Sequence, residues 1–227
     1  MGTPLEVYLE GGSKRVFAGA LDWPGWSRAA KTEDAALGTL VSYAPRYAAA
    51  LGALAGGVAP ASDIVVVERL DGTATTDFGA PDVAPSSDAE PIDDEGLAWL
   101  SAVLERCWSA LEETTRRWCG AQLRKGPRGG GRDLDAIVAH VTDADRAYLT
   151  KLGGRWHKRV DGEVDPQRLR VRMIETLAAR ARGKPPVQTP RSRLWSPRWF
   201  VRRSVWHALD HVWEIEDRAV PAASQPR

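Results

Sequence analysis

The chain has 227 residues, enough for one large domain or two small ones, with 43% hydrophobic and 27% charged residues, an ordinary balance for a globular protein. Its 31 Lys and Arg against 30 Asp and Glu leave a formal net charge of +1, so no whole-molecule field selects an acidic polymer as partner. No basic-then-apolar leader opens the chain and no apolar run approaches the ~18 residues of a membrane span, so a cytoplasmic protein without a membrane segment is predicted.

Residues 6–10 (EVYLE) alternate and are rich in strand formers; Gly11-Gly12-Ser13 is a turn, and residues 15–21 (RVFAGAL) read as the returning strand of a hairpin. Asp22-Trp23-Pro24-Gly25-Trp26 forms a tight turn, because Pro fixes φ and Gly permits positive φ. Thr32 is a good N-cap, with Glu33 and Asp34 in the first turn, for a helix running to about residue 54 that Pro45 kinks or divides. Residues 64–70 (IVVVERL) are a further strand, Asp71-Gly72 a turn, and residues 73–78 a short extended piece. The order VYLE, strand, LDWPGW, then KTEDAAL on a helix, over residues 5–55, resembles the HicB-like domain. That resemblance implies a strand-strand-turn-strand-helix core around the Pro-Gly turn. HicB-like antitoxins add a DNA-binding segment; none is read here, so residues 1–80 are expected to be an α+β module that packs or dimerises.

Residues 80–95 (APDVAPSSDAEPIDDE) have no apolar periodicity and read as a linker, with the boundary at residues 81–93. Beyond them the chain is nearly all helical. A helix over 96–119 carries Leu97, Leu100, Val103, Leu104, Cys107, Trp108 and Leu111 on one stripe. Cys107 and Cys119, about 18 Å apart along that helix, cannot bridge each other and read as reduced thiols. The run from Gly126 to Gly131 breaks the pattern. Asp133 caps a second helix over 134–152, closed by Gly153-Gly154. Asp165-Pro166 starts a third, to about 182; Pro185, Pro186 and Pro190 make an extended connection; Ser196-Pro197 starts a fourth, to about 218. Four amphipathic helices over 94–218 imply an all-α up-down four-helix bundle, with residues 219–227 as a flexible tail.

The fourth helix carries His207 and His211, which share a face at i and i+4 and can reach one point off it. His140 lies on the second helix with Ile137, Val141 and Ala144 as same-face neighbours, so all three imidazoles can converge inside the bundle. His157 follows the Gly-Gly break and reads as a surface residue. His140 with Asp143, Asp145 and Tyr148 behind it, and HxxxH on the last helix, resembles the DinB/YfiT-like superfamily over about residues 94–218. The resemblance implies one divalent metal on His140, His207 and His211, and thiol-dependent S-transferases or isomerases that use mycothiol, bacillithiol or glutathione. Three neutral histidines leave a position for water or a substrate atom, the arrangement of a catalytic zinc site; imidazole also suits nickel and iron.

Glu214 shares the histidine face and is either an acceptor for an imidazole N–H, a base, or a partner of Arg218. Asp143 and Asp210 are further candidates for orienting an imidazole. Between Lys151 and Val205 there are fifteen Lys and Arg against four acids, interleaved with Trp156, Trp195, Trp199 and Phe200. This stretch reads as an entrance for an anionic small molecule, as a nucleic-acid contact, or as a solvated face. Arg202 and Arg203 are expected to steer the anionic parts of a thiol cosubstrate, Arg203 most directly because it lies four residues before His207. The function expected is that of a metal-dependent enzyme, a low-molecular-weight-thiol-dependent transferase or a near-variant hydrolase, acting on a small molecule without membrane or nucleic acid. The alternative is a metal-binding regulatory protein whose first module mediates association, for instance as a homodimer.

Overall fold

The structure is a computed structural model that describes residues 4–56, 58, 63–125, 131–188 and 193–220. It is mixed α/β: a four-stranded sheet comes first and helices follow. The glycine-rich run at 126–130, Pro190 and residues 221–227 lie outside the described residues.

The sheet has the order β3-β2-β1-β4. Strands β1 (Leu5–Gly11) and β2 (Val16–Ala20) form the expected hairpin, with Leu9 opposite Ala18. The Trp23-Pro24-Gly25 turn then returns the chain as β3 (Ser27–Ala30), antiparallel to β2. Strand β4 (Ile64–Asp71) lies parallel to β1, with a register shift between Val7 and Tyr8. The connection from β3 to β4 carries α1 (Glu33–Ser42), capped by Thr32, and α2 (Ala44–Leu51), with Pro45 in its first turn. The single expected helix is therefore two, divided at Tyr43, because Pro45 can begin a helix but not continue one. Residues 73–78, expected to be extended, are instead a short helix, α3 (Ala74–Phe78). Thr73 caps it through Thr75 N while the Thr76 hydroxyl accepts from Thr73 N, a reciprocal pair that favours the helical turn.

Alternation along β1 sends Val7 and Leu9 into the hydrophobic core and Tyr8 and Glu10 to the opposite face. On that face Glu10 is buried and accepts from the Thr76 hydroxyl and from Asp82 N at 3.0 Å. Residues 81–93, read as a linker, are thereby fixed to the sheet: Glu68 accepts from Ser86 N, and a 3-10 turn at Ser86–Ala89 buries Asp88. The polar composition that reads as a linker supplies partners for buried charges instead.

The long helices follow their predicted bounds closely. They are α4 (Asp94–Arg117), α5 (Leu134–Leu152), α7 (Pro166–Ala181) and α8 (Pro197–Arg218), with a short α6 (Lys158–Asp161) between. Asp93, Asp133, Asp165 and Ser196 each cap a first turn by accepting a backbone N–H. Helix α8 packs along α4 and α5, and α5 along α7. Cys107 is buried and Cys119 exposed. Strand β5 (Gln122–Leu123) pairs antiparallel with β6 (Ala219–Val220), so the residues expected to start a tail begin as a strand. No helix among the described residues is long and apolar enough to cross a membrane.

The two predicted units share one hydrophobic cluster from β1 through α8. Trp23 meets Trp99 edge-on at 5.8 Å, Phe17 meets Trp206 at 6.0 Å, and Arg28 pairs with Asp210 at 2.9 Å. The turn at Gly25 touches α8 itself. Its φ of +81° favours glycine, and a Cβ there would lie 2.6 Å from Trp206 N and closer still to Val205 Cγ1. Gly25→Ala is expected to lower stability by about 2 kcal/mol or more, read as a lower midpoint in urea with little change in slope.

A second test concerns Asp145, buried on α5. Burial pushes its carboxyl up to about 7 against the pull of Arg170 and Trp108. The folded chain therefore keeps a proton that the unfolded chain loses near pH 4, and the cost of Asp145 grows as pH rises from about 4 to about 7. Asp145→Asn should raise the melting temperature at pH 7.5, by a stabilisation of up to about 4 kcal/mol, and leave it unchanged near pH 4. A stabilisation that is the same at both pH values would contradict this.

Candidate metal centre

The residues that bring the three histidines together are those that make α5 and α8 amphipathic. On α5, Ile137, Val141 and Leu149 are buried, and His140 sits beside that stripe, half-buried. On α8, His207 and His211 are both buried. His207 Nε2 lies 3.3 Å from His140 Nε2. The ring centroids are 5.1 Å apart for His140–His207, 5.1 Å for His140–His211 and 4.7 Å for His207–His211, all near perpendicular or tilted. One ligand atom from each histidine lies within 4.8 Å of the others, and this is the only such group of three or more His, Cys, Asp or Glu among the described residues.

These residues fit a tetrahedral divalent ion. With Zn–N bonds of about 2.05 Å, the edge between two ligand nitrogens is about 3.3 Å, the separation at His140 and His207. Burial lowers the pKa of His207 well below the usual range, helped by His211, Arg203, His140 and Arg132; burial, His211 and Arg132 lower that of His140. Both are thus held in the neutral form that donates a lone pair to a metal. His211 Nδ1 bonds to Glu214 Oε2 at 2.7 Å, which leaves its Nε2 for the centre. His207 Nδ1 is buried with no partner.

Glu214 does two of the things its position allows. One oxygen holds His211 and the other holds Arg218, and its pKa is lowered first by the hydrogen bond to His211. A carboxylate engaged at both oxygens orients an imidazole; it is not poised as a base. Arg218 in turn donates to the carbonyls of Arg124 and Arg132, tying the end of α8 to the chain before α5.

The other expected site residues divide. Arg203 is buried near the histidines: its Cζ is 5.3 Å from the Tyr148 ring and 4.5 Å from the Trp206 ring, and those rings lie 5.7 and 6.1 Å from His207. Arg202 does not join them. Its guanidinium is buried on the other side of α8, bonded to both oxygens of Asp88 at 2.8 and 2.9 Å and to the carbonyls of Ala20 and Leu21. With those donors used, it cannot steer a cosubstrate. Asp143 is exposed and pairs with Arg146, Asp210 pairs with Arg28, and His157 lies outside the cluster, its backbone N–H donating to Asp161. Of the basic stretch, Arg170 pairs with Glu112, Arg172 with Asp161, and Arg198 with the carbonyls of Glu90 and Pro91, so much of that charge serves internal contacts.

Sequence reasoning passed over Trp206 and Arg132, and it named Tyr148 without giving it a place in the site. Tyr148 is eight residues beyond His140, two turns along the same face, a spacing that does predict its position. Arg132 precedes its helix and has no such signal. No family model matches the chain, and neither a curated protein nor a solved structure matches it.

The place of Arg202 generates a test. Removing one partner of a buried ion pair leaves the other uncompensated. Asp88→Ala is expected to cost about 3–5 kcal/mol in urea unfolding, while the double variant Asp88→Leu/Arg202→Met recovers most of that loss.

Proposed function

We propose that the protein is a metal-dependent enzyme in which His140, His207 and His211 hold one divalent ion and leave a coordination position for a small-molecule substrate. Zinc suits three neutral imidazoles best, with nickel or iron as alternatives. The observation that carries this reading is the 3.3 Å approach of two imidazole Nε2 atoms, both in groups whose neutral form is favoured, with the third imidazole oriented by a carboxylate. A bound ion would supply Lewis acidity and favour the thiolate form of a thiol brought to it.

Within this reading the reaction is transfer or isomerisation dependent on a low-molecular-weight thiol such as mycothiol. What supports it is the likeness of His140 and the HxxxH of α8 to the DinB/YfiT-like pattern. The helices α4, α5, α7 and α8 would then be an up-down four-helix bundle, and the sheet a HicB-like module. The chain's own part is positional. Glu214 fixes His211, and the rings of Tyr148 and Trp206 wall His207 from water. The shared core fixes α8 against the sheet, so the module belongs to the same cooperative unit.

Purified protein is expected to hold about one equivalent of metal by elemental analysis. His140→Ala, His207→Ala and His211→Ala should each lose most of it, and His157→Ala none. Glu214→Ala should weaken metal affinity by about 10–100-fold through the loss of its hold on His211. Chelation should leave far-UV helicity intact, because the apolar core is buried without the ion. Cobalt-substituted protein should gain a charge-transfer band with mycothiol, bacillithiol or glutathione. Stoichiometric metal in His140→Ala would sink the site, and no band with any of the three thiols would sink the thiol chemistry.

A further inference from the structure

Arg202 and Arg203 are consecutive and both buried, yet the chain treats them differently. Arg202 has a carboxylate and two carbonyls. Arg203 is only 8% exposed, and among the described residues no carboxylate pairs with it and its Nη1 is buried without any partner. A guanidinium buried without a counter-charge carries several kcal/mol of uncompensated desolvation, so a folded chain rarely leaves one so. Aromatic faces offset part of this, and Arg203 lies over two, Trp206 and Tyr148. Those rings hold the guanidinium from its faces and leave Nη1 without a hydrogen bond. The indole N–H of Trp206, on the same guanidinium, is also buried with no partner.

The position of these donors is specific. Arg203 is four residues before His207, about 6 Å along the axis of α8, and on the same face. Both rings that hold Arg203 also contact His207. The acid that reaches this group of histidines from α8, Glu214, is engaged by His211 and Arg218. Arg203 is therefore a positive charge on the flank of the centre that Glu214 does not meet.

We propose that Arg203, held between Tyr148 and Trp206, is the docking point for a carboxylate of the molecule that enters the three-histidine centre. The substrate or cosubstrate class is then a small carboxylic acid that also carries a second donor atom, a thiol or hydroxyl, placed to reach the histidines while the carboxylate is held one helical turn away. This inference rests on the proposed metal centre for the second donor and on Arg203 alone for the carboxylate. The planar fork of a guanidinium matches a carboxylate through two parallel N–H···O bonds, a geometry a lysine cannot offer.

The test uses the full chain loaded with cobalt and two thiols of one length, 3-mercaptopropionate and the neutral 3-mercapto-1-propanol, titrated by calorimetry. The wild-type protein is expected to prefer the carboxylate by about tenfold or more. In Arg203→Gln that preference should fall below about threefold, with cobalt stoichiometry and affinity for the alcohol unchanged. No preference in the wild type, or an undiminished one in the variant, overturns the proposal. If Arg203→Gln does not fold by circular dichroism, Arg203→Lys replaces it. A several-fold weaker preference is then expected, and an undiminished one overturns the proposal. If the chain takes up no cobalt, the metal centre fails alone, and the anion site is read on metal-free protein with propionate against 1-propanol. A rise in melting temperature specific to propionate, lost in the variant, supports the docking point; no such rise overturns it.

Discussion

From Trp199 to Ile215 every residue of α8 is buried except Asp210 and Glu214, which are half-buried, and the rest of the structure depends on that enclosure. A helix with one apolar stripe can be covered from one side. This one carries aromatic, basic and histidine side chains around its whole circumference, so it folds only when several elements close on it together. Helices α4 and α5 cover one part, and the turn at Gly25, the ring of Phe17 and the buried Asp88 cover another. The site and the sheet therefore share a wall one helix thick. A shift of the Gly25 turn is felt at Val205 and Trp206, the two residues before His207. The sheet is thus part of what holds the imidazoles in place, since sites built on packed helices keep the side-chain precision that metal ligation needs.

Charge is sorted across the same helix. On the sheet side each buried charge meets an opposite one or a set of dipoles: Arg202 with Asp88, Arg28 with Asp210, and Glu10 with the backbone of Asp82. Arg46 extends the pattern, bridging Glu216 and Asp217 while lying over the Tyr43 and Trp213 rings. On the histidine side the pairing stops after Glu214. The contrast sits within one chain and largely within one helix, so it does not reflect a general shortage of acids. The 30 acidic residues of the chain nearly match its basic ones, and they are placed elsewhere.

What was legible in the sequence follows from the range of the interactions. Helix starts were legible because a cap and its first turn are neighbours: Asp93, Asp133, Asp165 and Ser196 each act within three residues. The histidine set was legible because His207 and His211 are one turn apart and His140 carries apolar neighbours at helical spacing. The role of residues 81–93 was not, because their partners are far along the chain: Arg202 lies 114 residues from Asp88, and Glu10 lies 72 from Asp82. Nothing in a Pro-, Ser- and acid-rich stretch says whether its carboxylates face water or a buried arginine. The assignment of Arg202 failed for the same reason, since adjacency to Arg203 in sequence places the two about 100° apart around the helix, enough to send one to the sheet and one to the site. Helix α3 was hidden by local ambiguity, and the strand after the Pro-Gly turn was implied only by the HicB-like layout; Ser27–Ala30 has few strand formers and is a strand because β2 offers it an edge.

The chain caps its helices by local polar pairing. Six helix starts, at Thr32, Thr73, Asp93, Asp133, Asp165 and Ser196, use a side-chain oxygen to satisfy a free backbone N–H. The same chain then leaves Arg203 Nη1, Ser204 Oγ, Trp206 Nε1 and His207 Nδ1 buried and unpaired within five consecutive residues. Each such group costs about 1–3 kcal/mol relative to a paired one, and more where it is charged. Eight further side-chain atoms are buried without a partner elsewhere among the described residues, but only on this turn of α8 do four fall within five consecutive residues, around His207. A cluster of buried groups without partners is what a molecule from outside the chain can complete. The concentration of unmet polar groups beside three convergent imidazoles rests on no likeness to any family, and it marks this turn of α8 as the place where a molecule from outside the chain would complete the most hydrogen bonds.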